Sequence, residues 1–383
     1  MACRAPTKNF CWRSEDLRYI YIQKCSGRLK PSILILQGVE KVDIKLKFKT
    51  VDWVKNRIRI LDQTKLPLKV SYLEYKDYKQ VAKAIKDLKI RGAPAIGIIA
   101  AYGVVLGMMN RKFKDKDDYN RRLNSVISIL KSTRPTAVNL SWALERMRKI
   151  ALRFEDYDSE SKNRRLLKEA FLIHQEDRIM CQKIGENGAK LLKNGCRVLT
   201  HCNAGALATG GIGTALAPIF IAKKQGKKIK VYVDETRPVL QGARLTTWEL
   251  LQQGIDTTLI CDDMAAFLIQ KKMVDCIITG ADRIVKNLDA ANKIGTYNLA
   301  VLAKFHKIPF YMAAPSSSFD HSLECGEKIK IEERSSEEVT HFQGKRIAPL
   351  KVKVFAPAFD VTPVDLITAI ITEKGIIKGK RKD

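Results

Sequence analysis

The sequence has no apolar run long enough to cross a membrane, because such a span needs about 18 uninterrupted apolar residues. Its most apolar stretch, APAIGIIAAYGVVLGMM (93–109), is rich in glycine and alanine, and we interpret it as a core helix. None of the nine cysteines forms a C-x-x-C pair, which excludes a zinc ribbon and a thioredoxin motif. No secretory signal opens the chain, so we expect reduced thiols in a cytoplasmic protein.

Acidic residues are few relative to basic ones. The chain has 41 Asp and Glu against 69 Lys and Arg, a formal charge of +28. The basic residues are spread along the chain and cluster only in KGKRKD (378–383). No zinc finger, RNA-recognition aromatic signature or basic zipper accompanies them, so nucleic-acid binding is the weakest functional hypothesis. We interpret the charge as a general bias that favours phosphorylated ligands.

The hydrophobic pattern divides the chain into three parts. Residues 1–47 have no steady period and can be a disordered extension, an added module or a start placed too far upstream, which is the interpretation we favour. Residues 48–195 begin with short alternating strands, with Asn56 in a hairpin turn, and continue as helices. Residues 196–383 alternate strand, loop and helix, which predicts a doubly wound parallel sheet.

The same patterns predict the individual elements. In the first half we expect helices over 76–90 with Asp77 as N-cap, from Ala93 with Pro94 in the first turn, after Arg134-Pro135, and over 160–193. In the second half we expect strands at 197–201, 229–234, 257–261, 275–279 and 309–313, and helices near 211–224, 240–253, 263–272 and 295–307. A last strand is predicted near 351–355.

Two reactive side chains follow predicted buried strands. Cys202 comes just after RVLT (197–200), and Asp282 comes just after DCIIT (275–279). Ligands of open α/β sheets bind outside the carboxyl ends of the strands, so these side chains form a candidate site. Each has a structural alternative: Cys202 can be a small core hydrophobe, and Asp282 can cap a helix or pair with Arg283.

The neighbouring residues favour a ligand site. Cys202 is followed by Gly205, Gly210, Gly211 and Gly213, which allow close approach of the backbone. A predicted helix N-terminus beyond them favours an anion or a thiolate, although the P-loop pattern is absent. Arg91 and Arg134 stand at breaks in helical structure, where they can clamp a phosphate or simply face solvent. Gln241 and Lys293 are uninformative by themselves.

Longer motifs resemble the methylthioribose-1-phosphate isomerase family. They are RGAPAIG (91–97), RPTAVNL (134–140), THCNAGALAT (200–209), DETRPVLQGARLT (234–246), GADRI (280–284) and ANKIGTYNLA (291–300). IEER (331–334), EEVT (337–340) and PAFDVTP (357–363) also fit. The resemblance runs in order from about Phe48 to the C-terminus and leaves residues 1–47 outside. One local departure is KNLDAANK (286–293), where a turn glycine is expected.

The resemblance implies an α/β fold with an N-terminal β and helical domain (48–195) and a Rossmann-like catalytic domain (196–383), usually as a homodimer. It implies conversion of 5-methylthioribose 1-phosphate to 5-methylthioribulose 1-phosphate in methionine salvage. Asp282 matches the proton donor and Cys202 the group that stabilises the transition state. The matching substrate-binding positions are Arg91, Gly92, Ala93, Arg134, Gln241, Asn292 and Lys293. We expect no metal or other cofactor, no nucleic acid and no membrane partner.

The chemistry of this reaction explains the residue types. Phosphate occupies the anomeric oxygen, so the ring cannot open through a free hemiacetal. A carboxylic acid kept neutral by an apolar pocket can protonate the ring oxygen. A nearby thiol can take a proton, or steady the developing charge, as hydrogen moves from the second carbon to the first. The sequence leaves open whether that hydrogen moves as a proton or as hydride.

Two other functions compete with this one. A ribose 1,5-bisphosphate isomerase would use the same pair of groups on a sugar with a second phosphate. A regulatory scaffold that senses sugar phosphates or nucleotides, like the related subunits of the eukaryotic initiation-factor exchange complex, would need no catalytic pair. The presence of both Cys202 and Asp282 favours catalysis, and the wording of RPTAVNL and LQGARLT favours methylthioribose.

Overall fold

The computed structural model describes residues 44–109, 111–135, 137–342 and 344–379. Residues 1–43 of the predicted extension and residues 380–383 of the basic tail lie outside the described residues.

The first half of the described chain is a small sheet followed by helices. In chain order the elements are β1 (Val51–Val54), β2 (Arg57–Leu61), β3 (Tyr72–Tyr75), α1 (Tyr78–Lys86), α2 (Ala93–Met108), α3 (Lys116–Lys131), α4 (Val138–Arg153) and α5 (Ser159–Ala189). Strands β1, β2 and β3 form an antiparallel sheet. Lys55 and Asn56 join β1 to β2 with φ of 47° and 60°, the left-handed pair that a tight hairpin turn requires, as predicted.

Helix α2 is the centre of the helical region. Its side chains are buried from Ala95 to Met108, and it packs against α1, α3, α4 and α5. Pro94 lies in its first turn, and Asp77 caps α1 by accepting the N–H of Lys79 at 2.5 Å. The predicted core helix and N-cap are therefore confirmed. Among the helices of the described residues, none has both the length and the hydropathy that a membrane crossing requires.

The second half alternates strands and helices, as the sequence predicts. Its elements are β4 (Arg197–Thr200), α6 (Ala217–Lys224), β5 (Lys230–Asp234), α7 (Thr247–Gln252), β6 (Asp256–Ile260), α8 (Met264–Gln270), β7 (Cys276–Gly280), β8 (Arg283–Val285), β9 (Ala290–Lys293), α9 (Thr296–Phe305), β10 (Phe310–Ala313), β11 (Phe319–Asp320), α10 (Glu337–Thr340), β12 (His341–Phe342), β13 (Lys345–Arg346), β14 (Phe359–Thr362), β15 (Ala369–Thr372) and β16 (Gly375–Lys378). A π-helical turn, Gly242–Thr246, precedes α7.

The central sheet has seven strands in the order β16-β15-β10-β7-β4-β5-β6, and only β16 runs antiparallel to its neighbour. The chain proceeds from β4 outward through β5 to β6, then returns to β7 on the other side of β4. Strand order therefore reverses between β4 and β7. In doubly wound sheets the crevice at this switch point is where ligands bind.

Two predicted elements differ from the structure. The helix predicted near 211–224 begins only at Ala217, because loop hydrogen bonds hold the glycine-rich stretch: Thr209 Oγ1 accepts the N–H groups of Gly211 and Gly213. The strand predicted near 351–355 is absent, and these residues have no regular structure. Their alternating pattern has no core to cover, since Val352 and Phe355 are exposed.

Candidate active site

A cavity of about 1100 Å³ opens beyond the carboxyl ends of β4 and β7. Residues that follow these two strands, residues from the start of α2 and residues of the 329–342 segment line it. All nine predicted site residues line this one cavity: Arg91, Gly92, Ala93, Arg134, Cys202, Gln241, Asp282, Asn292 and Lys293. The cavity therefore brings together residues that lie up to 202 positions apart in sequence, from Arg91 to Lys293.

Cys202 lies two residues beyond β4, in a left-handed conformation with φ of 60°. This conformation costs a residue other than glycine about 1–2 kcal/mol. Hydrogen bonds on both sides hold it: its N–H donates to Thr236 Oγ1 at 2.8 Å, and its carbonyl accepts from Thr246 Oγ1 at 2.5 Å. Burial raises the pKa of the thiol, although Arg91 and Lys293 oppose the shift. This shift favours the protonated thiol at neutral pH, whereas the glycine-rich stretch by itself favours an anion or a thiolate.

Asp282 lies between β7 and β8, where its N–H donates to the Ala291 carbonyl at 2.9 Å. The residue is exposed to the open cavity, although many protein atoms lie around its carboxyl. Burial among those atoms raises the pKa of the carboxyl, and the cations Lys293, Arg91 and Arg134 lower it to a smaller extent. Among the predicted site residues this is the carboxyl that can donate a proton into the cavity.

The N-terminus of α2 forms one wall of the cavity, and because it suits an anion we call it the anion-binding wall. No side chain caps this helix, and Gly92 precedes it with φ of 91°. Position 92 has no room for a side chain, because a Cβ on Gly92 would lie 2.4 Å from the Ala208 Cα. The backbone N–H groups at the start of a helix favour a negatively charged group. Arg91 and Arg134 add two guanidinium groups to the same wall.

The remaining predicted residues differ in how they are held. Lys293 donates to the Ala358 carbonyl at 2.8 Å and lies 4.5 Å above the centre of the Phe359 ring. Asn292 Nδ2 donates to Thr296 Oγ1 at 2.9 Å. The Gln241 side chain is buried, and its Oε1 has no hydrogen-bond partner among the residues that the structure describes. An unpaired buried acceptor at a cavity wall suits a hydroxyl donor on a ligand.

Arg134 is held by an acidic partner that the sequence did not single out as a site residue. Its guanidinium lies 3.6 Å from Glu332 Oε2, and Glu332 also pairs with Arg334 at 2.8 Å. These three residues line the cavity. Although burial would raise it, the pKa of Glu332 is lowered by Arg334 and Arg134. Glu332 is thus ionised and competes with any anion for Arg134.

Sequence reasoning missed the residues that hold Cys202 and Arg91 in place. Asn203 accepts from the Arg91 guanidinium through both its backbone and side-chain oxygens. Thr246 and Glu249 in turn bind the Asn203 side chain. Position next to Cys202 is the one signal that could have identified Asn203. Glu249 carries no motif that identifies it.

His201, next to Cys202, lies with Asp234 and Asp262 in a group whose atoms have the spacing of metal ligands, although Asp262 is only half-buried. Its Nδ1 lies 2.9 Å from Asp234 Oδ2, and its Nε2 donates to the Ile294 carbonyl at 2.8 Å. Asp262, the third member of the group, accepts the N–H groups of Thr236 and Arg237. Both ring nitrogens thus take part in hydrogen bonds with the protein. His201 therefore links the loop that carries Cys202 to Ile294, the residue that follows Lys293.

The chain is similar to proteins of known family. The profile of the Initiation factor 2 subunit family matches residues 89–379. The methylthioribose-1-phosphate isomerase of Geotalea uraniireducens (strain Rf4) is 53% identical over 334 residues, which cover 87% of this chain and 96% of that protein. The protein of the same name from Desulforamulus reducens is 54% identical over 325 residues, covering 85% of this chain and 94% of the relative.

Solved structures have the same fold. The 5-methylthioribose 1-phosphate isomerase of Pyrococcus horikoshii OT3 superposes with a TM-score of 0.83 at 45% identity, covering 87% of this chain and 93% of that one. A structure described as translation initiation factor eIF-2B, subunit delta, from A. fulgidus has a TM-score of 0.79 at 46% identity, covering 86% and 96%. One structure is named as an isomerase and the other as an initiation-factor subunit, although their TM-scores and identities are almost equal. The chemistry of the site therefore has to distinguish an enzyme from a regulatory scaffold.

Proposed function

The chain belongs to the Initiation factor 2 subunit family and, within it, to the methylthioribose-1-phosphate isomerases; from this premise we propose that it converts 5-methylthioribose 1-phosphate to 5-methylthioribulose 1-phosphate. This is the isomerisation of an aldose to a ketose in methionine salvage. One observation carries the assignment: the acid, the thiol and the predicted substrate-binding residues line a single cavity at the switch point of the sheet. A regulatory scaffold would have no need of the acid and the thiol in that place.

Asp282 is the acid that opens the ring. The reaction needs a proton on the ring oxygen, because phosphate blocks the anomeric oxygen. The raised pKa of the Asp282 carboxyl keeps part of it in the neutral form that can donate. A bound phosphate brings further negative charge, which raises this pKa again and offsets the opposing effect of the nearby cations.

Cys202 acts on the hydrogen transfer that follows ring opening. Its pKa is raised, so it faces the sugar as a neutral thiol whose S–H can steady the charge that develops near the first two carbons. The two hydrogen bonds to its backbone fix the position of its sulfur. Fixed donors are effective in a shielded site because they need no reorganisation during the reaction.

The phosphate of the substrate binds at the N-terminus of α2. Gly92 and Ala93 would offer backbone N–H groups, and Arg91 and Arg134 would offer guanidinium forks. Phosphate must displace Glu332 from Arg134, and its charge makes that exchange favourable. Gln241, Asn292 and Lys293 remain to bind the sugar hydroxyls.

We propose that the protein works as a homodimer in the cytoplasm. Apolar side chains on the adjacent helices α8 and α9 are exposed in one chain, with Phe267 at 59% and Phe305 at 79%. A second copy can remove such side chains from water. The described cysteines are all free, which suits a reducing compartment. Light scattering tests the dimer directly and should give twice the mass of one chain.

A side-by-side assay of two sugars tests the function. The purified protein should convert methylthioribose 1-phosphate with a kcat/KM at least about tenfold above that for ribose 1,5-bisphosphate, a ratio that apolar pockets commonly reach. Leu66, Leu245 and Ile329 line the cavity and suit a methylthio group better than a second phosphate. Faster turnover of the bisphosphate would favour the sibling enzyme. Binding of both sugars without turnover would favour the scaffold.

A further inference from the structure

Glu249 is a buried carboxylate, and all of the hydrogen bonds that its carboxylate accepts come from N–H groups. It lies in the first turn of α7 and is 0% exposed. Its Oε2 accepts the N–H of Ala206 at 2.7 Å, and its Oε1 accepts the N–H of Leu207 at 3.1 Å. Asn203 Nδ2 donates to Oε1 at 2.8 Å. A carboxylate with three donors around it binds them best in its ionised form.

The backbone of the Cys202 loop is shaped to admit this carboxylate. Gly205 lies directly against it, and a Cβ at that position would be 2.3 Å from Glu249 Oε2. Ala206 and Leu207, whose N–H groups it accepts, follow Gly205 in the same turn. The loop therefore closes around Glu249, and no substitution at Gly205 can occur without displacing the carboxylate.

The side chain of Asn203 connects Glu249 to the anion-binding wall. Its Nδ2 donates to Glu249 Oε1 and to Thr246 Oγ1, at 2.8 and 3.1 Å. Both amide hydrogens are then used, so the amide oxygen turns to the other side, where it accepts from the Arg91 guanidinium. In a flipped amide, the NH2 group would face the Arg91 guanidinium, which offers no acceptor. The amide oxygen would then face the Glu249 carboxylate, which offers no donor.

We propose that Glu249 is a positioning residue: its carboxylate fixes the Asn203 amide, and through that amide it fixes the Arg91 guanidinium that binds the substrate phosphate. The inference rests on the proposed function, because the phosphate role of Arg91 belongs to it. Glu249 itself faces away from the cavity and acts on substrate only through Asn203.

The charge of Glu249 gives the proposal a measurable consequence. Burial raises the pKa of this carboxyl to about 7, against the opposing effects of Asn203, Leu207, Ala206 and Arg91. Arg91 is the charged group that acts on it across Asn203, and its other close partners are neutral. A protonated carboxyl carries an O–H donor and an amide carries an NH2 donor group, and either would face the surrounding N–H groups. Protonation of Glu249 should therefore weaken its hold on Asn203, as the substitution Glu249→Gln would.

The test compares the wild type with Glu249→Gln over pH 5.5–8.5. At pH 8 the variant should have a KM for methylthioribose 1-phosphate at least about tenfold higher, the scale of an unsatisfied buried hydrogen bond. The ratio of the two KM values should approach one as pH falls below the pKa of Glu249. Titration of Asp282 and of the substrate phosphate affects both proteins, so the ratio cancels them. A purely structural role would lower the active fraction, and hence kcat, with a KM ratio that does not depend on pH.

Asp177→Asn is the matched control. Asp177 is another fully buried carboxylate that accepts a backbone N–H, that of Gly210 at 2.6 Å, and burial raises its pKa to about 6. Its loss should lower thermal stability and leave the KM ratio near one at every pH. Glu249→Gln combined with Asn203→Ala should bind substrate no more weakly than Asn203→Ala alone, because both act through one link.

The outcomes separate this proposal from the proposed function. An inactive wild type would contradict the isomerase assignment. An active wild type with a KM ratio near one at pH 8, or with a ratio that does not change with pH, would overturn the role of Glu249. Should Glu249→Gln not fold, Asn203→Ala replaces it: a KM raised at least about tenfold at pH 8, and less at pH 6, supports the link. An unchanged KM would refute it.

Discussion

The side chains of Cys202 and Asp282 share one electrostatic environment. Burial raises the pKa of each, and the same two cations, Arg91 and Lys293, act against both shifts. The Asp282 charge also raises the pKa of the Cys202 thiol. A phosphate dianion at Arg91 would reduce the influence of the cation on both. Substrate binding thereby favours the neutral acid and the neutral thiol together.

The first prediction at the level of single residues concerns Cys202. Replacement by serine keeps the size and most hydrogen bonds but removes the soft S–H group next to the reacting carbons. Turnover should fall at least ~10²-fold with the fold intact, a scale typical of acid and base groups. Cys261→Ser is the matched control, because Cys261 is exposed and outside the cavity lining. Steady-state rates with circular dichroism check both, and an active Cys202→Ser would remove the thiol from the mechanism.

The second prediction concerns pH. Asp282 must be neutral to donate, so kcat should fall as pH rises through its raised pKa and level off below that pKa. Lys293 is the cation that lowers this pKa most. Lys293→Met should therefore move the alkaline limb of the kcat profile to higher pH, besides lowering the rate. A limb that stays in place, or moves to lower pH, would contradict the assignment of Asp282 as the acid.

The position of several residues at the cavity was predictable because they sit where the sequence has a local signal. Cys202 and Asp282 directly follow apolar strands, and Arg91 and Arg134 stand at helix breaks. Their supports were not predictable in this way. Glu249 is 46 residues from Asn203 in sequence, and the closeness of the two depends on how the π-helical turn meets the Cys202 loop. No spacing pattern in the sequence predicts this contact between Glu249 and Asn203.

In the proposed function, phosphate binding depends on the start of helix α2. Gly92 has a left-handed φ and lies against the backbone of Ala208, which follows β4. The helix N-terminus is therefore fixed relative to the loop that carries Cys202. A movement of this junction would displace Arg91 and the first N–H groups of α2 together.

Gly92→Ala tests this junction. The substitution adds backbone strain and a Cβ that would lie 2.4 Å from the Ala208 Cα, so stability should fall by about 1–3 kcal/mol and KM should rise. Gly195→Ala is the control: it has a similar φ of 81°, with nothing within 4 Å of an added Cβ. It should lose less stability and keep its KM. Thermal melts and kinetics distinguish the two, and equal effects would argue against a special role for the junction.

Elements were predictable where hydrophobic period and burial agree. Helix α2 and strand β7 have largely apolar sequences, and the structure buries them. The stretch 351–355 has the alternation of a strand, but it pairs with no strand of the described residues, and Phe355 is 79% exposed. The late start of α6 has another cause: the side chain of Thr209 holds the preceding glycines in a loop.

For the molecule as a whole, strand order is what creates the site. Alternation of strands and helices predicted a parallel sheet, but a single sequence does not give the order of its strands. The structure places β4 and β7 side by side, and their registers pair Leu199 with Ile277. The two reactive groups therefore emerge at neighbouring strand ends on opposite sides of the switch point.

The relatives allow a prediction about the N-terminal segment. The match to the Geotalea uraniireducens protein covers 96% of that protein but 87% of this chain. Deletion of residues 1–43 should therefore leave kcat and KM within about twofold of the full chain, well under the ~1.4 kcal/mol that a tenfold change represents. Parallel kinetics of both proteins check this. A larger loss would show that the segment contributes to the active site.

The most direct test of the account is the rate at which Asp282→Asn converts methylthioribose 1-phosphate, measured beside the wild type at pH 7 by NMR of the product. The amide keeps the shape of the carboxyl and cannot donate the proton that opens the ring. The account predicts that the wild type turns over and that the folded variant is at least ~10²-fold slower. A variant as fast as the wild type would contradict it.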